Sequence, residues 1–475
     1  MEYSNKTNYM KGFLPYALAA FLVGIVGGLS TVLGPAFMLD MNLAYNNTTW
    51  TALAQAISTA ACAPILGKLG DLFGRRKTLL LGILIFTLGS ILSALSKSLF
   101  FLLIARFVVG IGTAAISPTV MSYIITEFPP KQIAKGFSFY MLISSAAVIF
   151  GPTLGGLILE ASGWRALMWI SSIICVVFMS LCFFTLPGQT FDRKPLENFD
   201  LAGAFLVIVF FSLLLCVPSF GQNFGWTSVP FLLVLTMALI MLVFLIVTEK
   251  KAKNPILIGS FMARKAFIMP VIILFLTQGL MQANMTNTIV FVNYTQPTNT
   301  TLSGYAISIM YVGMSLGSIL IGPLADRFEP KHILTVSLLL TGTGCGIMFF
   351  FSQTTPLFLL AASLGTLGLG LGANAAIFMK IVLSNLPIET AGTGTGIYGL
   401  FRDLAAPFGV AVFVPMFTNE ITRLSADTTT NLSVSDVAVS SIQMLTIIEL
   451  VCVGIGIFIV QLLPKIYKEN NLKGD

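Results

Sequence analysis

Charge is scarce in this chain: Asp, Glu, Lys and Arg make up 9% of its 475 residues, against about 25% in a typical soluble protein. Too little polar side chain is present to coat a water-facing surface, so a soluble globule is excluded and lipid is the expected solvent. Histidine is nearly absent. The single one, His332, falls at the end of an apolar run, which excludes an intramembrane histidine as a proton carrier. The six cysteines, Cys62, Cys175, Cys182, Cys216, Cys345 and Cys452, lie in apolar runs with no CxxC spacing. That pattern excludes a disulfide framework and a zinc site. There is no Walker-type phosphate loop, metal-ligand cluster or nucleophile–base set, which argues against an enzyme and against ATP-driven pumping. The net charge of +7 does not call for a nucleic-acid partner; basic loops of membrane proteins give the same excess.

What the chain has is apolar length. Fourteen segments approach the roughly 20 residues that a helix needs to cross a bilayer: 12–36, 49–67, 78–96, 99–124, 136–160, 165–187, 200–220, 228–248, 267–292, 304–325, 332–352, 356–379, 393–417 and 439–463. Residues Met1 to Lys11 are short and polar, and the first run is long enough to span, so it is expected to be a retained helix and not a cleaved signal. With the N-terminus inside, 21 of the 26 Lys and Arg fall on inner segments and three on outer ones, while Arg106 and Arg402 lie within spans. This asymmetry predicts both termini on the cytoplasmic side.

A short charged motif occurs twice, 255 residues apart. The first copy is Gly67-Lys68-Leu69-Gly70-Asp71-Leu72-Phe73-Gly74-Arg75-Arg76-Lys77, after span 2; the second, Gly322-Pro323-Leu324-Ala325-Asp326-Arg327-Phe328-Glu329-Pro330-Lys331-His332, follows span 10. Each is expected to be a tight turn between membrane helices. A motif repeated at half-chain spacing implies two homologous halves, the design of secondary transporters. Two six-helix halves would place the second copy after span 8, so spans 7 and 8 are read as an inserted pair. The expected organisation is therefore 1–187 for the N-terminal half, 188–266 for linkers and inserted pair, and 267–475 for the C-terminal half.

These motifs, with Arg106, Gly110 and Gly112 in span 4 and Gly151-Pro152-Thr153-Leu154-Gly155-Gly156 in span 5, resemble the major facilitator superfamily over the whole chain, in particular its fourteen-helix drug:proton antiporter branch. Within that branch the chain looks most similar to bacterial bile-acid transporters of gut anaerobes. That likeness rests on Gly12-Phe13-Leu14-Pro15, Tyr45-Asn46-Asn47-Thr48-Thr49-Trp50, the stretch from Phe275 to Asn287, and Gly399-Leu400-Phe401-Arg402-Asp403. Two features depart from the exporters: span 1 carries no carboxylate in Val26–Thr31, with Asp40 lying beyond Pro35, and Ala147 replaces the first glycine of the span-5 element.

The resemblance implies an all-α integral membrane protein of the bacterial cell membrane, working by alternating access, without a cofactor and with the proton gradient as energy source. It implies an amphipathic organic solute, bile acids first, imported with protons; drug efflux by proton antiport is the alternative. A monomer is expected to suffice.

The candidate residues follow from charge and amide groups in apolar surroundings. Asp71 can pair with a base or cap a helix N-terminus, so Gly67, Asp71, Gly74, Arg75 and Arg76 form either a conformational latch or a merely topogenic basic loop. Asp326, in the worn copy, is expected to matter less. Gly151, Pro152, Gly155 and Gly156 allow a kink and close packing, or ordinary small-residue packing. Arg106 in mid-span costs about 2.5–3.5 kcal/mol to insert, so it faces an anionic substrate, a protonation site or a buried structural partner. Arg402 and Asp403 point about 100° apart and are not expected to neutralise each other, so one should meet another helix. Glu449, near the middle of span 14, is either a proton carrier or a structural hydrogen-bonding group. Gln278 and Gln282 share a face, and with Asn284 and Asn287 they suit a solute's hydroxyls and carboxylate, or interhelical hydrogen bonds.

Overall fold

The computed structural model describes residues 8–41, 45–129, 132–186, 200–252, 255–257, 265–296, 301–383, 391–426 and 434–463, and among them there is no strand. An apolar chain in lipid must satisfy its backbone internally, which selects helices. In order these are α1 (Asn8–Met41), α2 (Tyr45–Phe73), α3 (Arg75–Leu95) and α4 (Leu99–Glu127). The long helix Ile133–Thr185 is broken at Gly163, where φ is 74°; its arms, 133–162 and 164–185, are α5 and α6. Then come α7 (Leu201–Phe224), α8 (Val229–Lys251), α9 (Lys265–Thr295) and α10 (Thr301–Leu320), followed by α11 (Pro330–Ile347), α12 (Leu357–Leu383), α13 (Ala391–Ala426) and α14 (Val434–Leu462).

Thirteen of these segments are long and apolar enough to cross a membrane, and Gly12–Ile25 within α1 is a shorter apolar stretch. The fourteen expected spans therefore each coincide with a helix. Local chemistry sets several starts: Asp200 accepts the Gly203 N–H at the head of α7 (2.7 Å), and Ser228 accepts that of Phe231 at the head of α8 (3.3 Å). Many hydroxyls inside the helices donate to the carbonyl one turn earlier, as in Thr87 to Ile83 (2.7 Å) and Thr119 to Ala115 (2.6 Å).

The chain divides into two compact units. Unit 1 comprises Met1–Phe128, Ile143–Gly259 and Leu386–Phe408; unit 2 comprises Pro129–Leu142, Ser260–Asn385 and Gly409–Asp475. In unit 1, α4 packs on both α2 and α3, and α7 packs on α2 and α8. Small residues let the backbones close: a Cβ on Gly112 would stand 2.5 Å from the Phe86 nitrogen, and one on Gly89 2.6 Å from that of Val109. In unit 2, α12 packs in the same way on α10 and α11, and α9 lies against α14. Among these helices α8 is the least enclosed: its mean hydropathy is 3.0, and Leu233 and Val243 are 58% and 61% exposed. Such an apolar exterior is stable only against lipid.

Candidate functional site

The first charged motif is not a turn along its length, as its sequence suggests. Helix α2 continues through Asp71 to Phe73, and the chain reverses at Gly74 alone, with φ 93°. An L side chain at that φ would be strained, which explains the glycine. Keeping Asp71 helical aims its carboxylate at the first turn of α13, whose opening residues also belong to unit 1. Oδ1 accepts the Gly392 N–H, and Oδ2 accepts the N–H and the hydroxyl of Thr393, all at 2.8 Å. An anion on the free amides of a helix start gains both from the hydrogen bonds and from the helix dipole. Close approach makes this possible: a Cβ on Gly67 would run into the Gly392 carbonyl, and one on Gly396 into that of Ala63.

The neighbouring cations fasten other elements of unit 1. Arg75 pairs with Glu127 at the end of α4 (3.1 Å), and Arg76 donates to the Phe183 carbonyl on α6 (2.8 Å) with its guanidinium 5.4 Å from that ring. The Arg75 pair is partly exposed and contributes about 0–1 kcal/mol. Lys68 donates to the Pro255 carbonyl (2.8 Å), while Glu249 on α8 accepts the N–H groups of Ile256 (3.3 Å) and Leu257 (3.2 Å). The end of α8 and the residues 255–257 after it are thus tied to the end of α2.

Arg106 on α4 is 3% exposed. Its Nη1 donates to Gln55 Oε1 on α2 (3.3 Å), its guanidinium lies 5.3 Å from the Phe37 ring on α1, and its Nε has no acceptor among the described residues. No described carboxylate pairs with it; Asp40 pairs instead with Arg165 (2.8 Å). Arg402 and Asp403 overturn the expectation drawn from their angular separation. Arg402 Nε donates directly to Asp403 Oδ1 (2.7 Å), because a long arginine stem can curl back along the helix to an adjacent carboxylate. In α5, the backbone leaves helical angles at Gly163 and not within Gly151–Gly156. Where Ala147 stands, α1 supplies Gly24, whose Cβ would come within 2.7 Å of the alanine Cβ.

In unit 2, Glu449 is wholly buried in α14. Asn284 of α9 and Cys345 of α11 are its polar neighbours, yet neither carboxyl oxygen makes a hydrogen bond of ordinary geometry. Asn284 donates to the Leu280 carbonyl (3.0 Å), and its Oδ1 has no donor. A proton on Glu449 would supply one. Asn287 is buried one turn further on, with both amide atoms without a partner among the described residues. Gln278 and Gln282 are half-buried on the same helix. The second motif copy is different in kind. Gly322–Asp326 forms a 3-10 turn, and Lys380 of α12 donates to the Ala325 carbonyl (2.8 Å); the Asp326 side chain is outside the described set.

Sequence reasoning overlooked Gln55, Glu249 and the partner of Lys68. Gln55 had a signal: it is the only amide in 49–67, a run with no charged residue before its end. Glu249 had none, since a carboxylate near a helix terminus is ordinary.

Thirteen helices long and apolar enough to cross a membrane, with buried charges of both signs among them, define a multi-pass membrane protein. The chain belongs to the Major Facilitator Superfamily, whose model matches residues 16–218 and 199–410. It is 25% identical over 398 residues to the multidrug resistance protein Stp of Mycobacterium tuberculosis, covering 83% of this chain and 73% of that one. To the multidrug transporter protein MdtP of Bacillus subtilis it is 28% identical over 396 residues, with coverage of 82% and 69%. The crystal structure of the human organic anion transporter MFSD10 has the same fold, with a TM-score of 0.67 at 14% identity over 96% of this chain and all of that one.

Proposed function

We propose that this chain is a proton-coupled secondary transporter of amphipathic organic solutes that works by alternating access, with both termini cytoplasmic and the monomer as the working unit. The observation that carries the reading is Arg106: a buried guanidinium, held by an amide and an aromatic ring, with no described carboxylate to neutralise it. A cation so placed is costly unless it serves a ligand or a proton relay. Glu449 is the proton carrier, because among the described residues its buried carboxyl has uncharged polar neighbours, Asn284 and Cys345. The amides Gln278, Gln282 and Asn284 serve the solute's polar groups, and the Arg402–Asp403 pair is part of the pathway. Asp71, braced by Gly67, Gly74, Arg75 and Arg76, is the latch that holds one conformational state through α13.

The relatives named as multidrug transporters favour efflux by drug:proton antiport, and we place that direction first. Uptake of bile acids by proton symport is the second reading. It is favoured by the uncompensated Arg106 and by the absence of a carboxylate from Val26–Thr31. Accumulation of labelled cholate and of ethidium in cells expressing the protein, with and without an uncoupler, separates the two. Reduced accumulation that the uncoupler restores means efflux; uncoupler-sensitive cholate accumulation means uptake. Identical accumulation to empty cells for both probes, with the protein present in the membrane, would sink the transport reading for this solute class.

A further inference from the structure

Arg106 and Gln55 face each other because α2 and α4 are pinned together one turn away. A Cβ on Gly110 would collide with the Ser58 hydroxyl and the Gln55 carbonyl, so no side chain can separate the helices there. Thr59 then donates its hydroxyl to the Gly110 carbonyl (3.2 Å). Gly110 lies one helical turn after Arg106, and Gln55 one turn before Thr59. The pinned crossing therefore leaves little choice in what Arg106 meets on α2: its Nη1 reaches the Gln55 Oε1 at 3.3 Å. The Phe37 ring covers the guanidinium from α1 (5.3 Å) and offers no formal charge.

The chemical identity of residue 55 thus fixes the net charge of the Arg106–Gln55–Phe37 cluster in unit 1. A carboxylate there would form a charge-assisted pair with Arg106 and neutralise it. The amide accepts one hydrogen bond and contributes no charge, so the positive charge remains, with Nε still lacking an acceptor. We infer that Gln55 is a specificity-determining residue: by standing as an amide where a carboxylate would fit, it keeps Arg106 uncompensated and selects solutes that bring their own anionic group. A monoanionic amphiphile suits this arrangement, its carboxylate taking the donors that Gln55 leaves unmet. A lipophilic cation would meet an unopposed guanidinium at low dielectric, where like-charge repulsion is strong. The inference rests on the transport reading for its solute, but not for its account of the 55–106 pair.

The full-length protein purified in detergent tests both parts by thermal unfolding. Gln55→Glu supplies the missing counter-charge and is expected to raise Tm by at least about 2 °C. In Arg106→Gln the same change should give no gain, so a double-mutant cycle shows favourable coupling between Glu at 55 and Arg at 106. Cholate should raise the Tm of the wild type and tetraphenylphosphonium should not. Gln55→Glu should weaken the cholate shift at least tenfold in concentration, while Gln55→Ala retains it. Absence of coupling in the cycle, or an unchanged cholate response in Gln55→Glu, overturns the inference, because Arg106 would then already be neutralised. If neither probe shifts the wild type, the transport reading for these solutes falls, and the sign of the coupling alone decides the role of Gln55.

Discussion

The two copies of the charged motif began as similar strings and ended as different structures. In the first, the residue that opens α3 is Gly74 at φ 93°. In the second, the equivalent place before α11 is Glu329 at φ −62° and ψ 121°, an ordinary extended conformation. Only glycine enters the first geometry without strain. With it, α2 stays helical to Phe73 and Asp71 reaches the N–H groups of Gly392 and Thr393. Without it, and with Pro323 inside the copy, α10 ends at Leu320 and the chain passes through the 3-10 turn Gly322–Asp326. There the ordering contact is a lysine on a carbonyl, Lys380 to Ala325. A glycine replaced by glutamate and a lysine replaced by proline thus accompany the change from a carboxylate-capped helix start to a plain turn.

The sharpest way to break the comparison is to remove the cap. Asp71→Ala should reduce transport at least tenfold at matched protein level, because a carboxylate that accepts three hydrogen bonds, worth about 1.5–3 kcal/mol each when charged, is lost from the start of α13. Asp71→Asn, which keeps one acceptor oxygen but loses the charge and places its NH2 opposite one set of donors, should lose less. Equal transport by wild type and Asp71→Ala would mean that the capped state is not one the cycle visits.

Gly67→Ala comes next. Its Cβ would meet a backbone carbonyl, which cannot swing aside as a side chain can, so both transport and Tm should fall. An unchanged Tm would show that the α2–α13 approach is looser than described.

Glu449→Gln tests the charge of the other unit. It removes the titrating proton and keeps the shape. Net solute accumulation should stop responding to an imposed pH gradient, while solute-for-solute exchange persists; a retained pH response would move the proton to another group.

The smallest effects belong to the turn itself. Gly74→Ala should lower stability by about 1–2 kcal/mol through the positive φ, whereas Glu329→Ala should stay within about 0.5 kcal/mol as an ordinary surface change. Thermal unfolding of the two variants side by side checks this, and equal losses would deny the special role of Gly74.

The buried charges carry the same lesson as the motif copies. Arg106 and Glu449 were legible because a charge within an apolar run has few innocent explanations. Their partners were not: Gln55 and Asn284 lie 51 and 165 residues away from them in the chain, and no local pattern links such positions. The expectation that Arg402 and Asp403 could not pair failed for a related reason. Angular spacing describes Cα–Cβ directions, and a side chain with several rotatable bonds is not confined to them.

By itself the sequence determined the solvent, the helical class and the number and place of the spans, though not where each ends, because lipid allows a long apolar run almost no structure but a helix. It also marked the two motif copies, since their glycines and charges are local. Only the tertiary structure decided that Asp71 caps α13, that Lys68 and Glu249 tie the end of α8 to α2, and that Arg106 meets an amide and, among the described residues, no acid. Those outcomes depend on which backbones can approach within contact distance. In lipid, where apolar surfaces gain little from one another, that is settled by small residues on facing helices far apart in the chain.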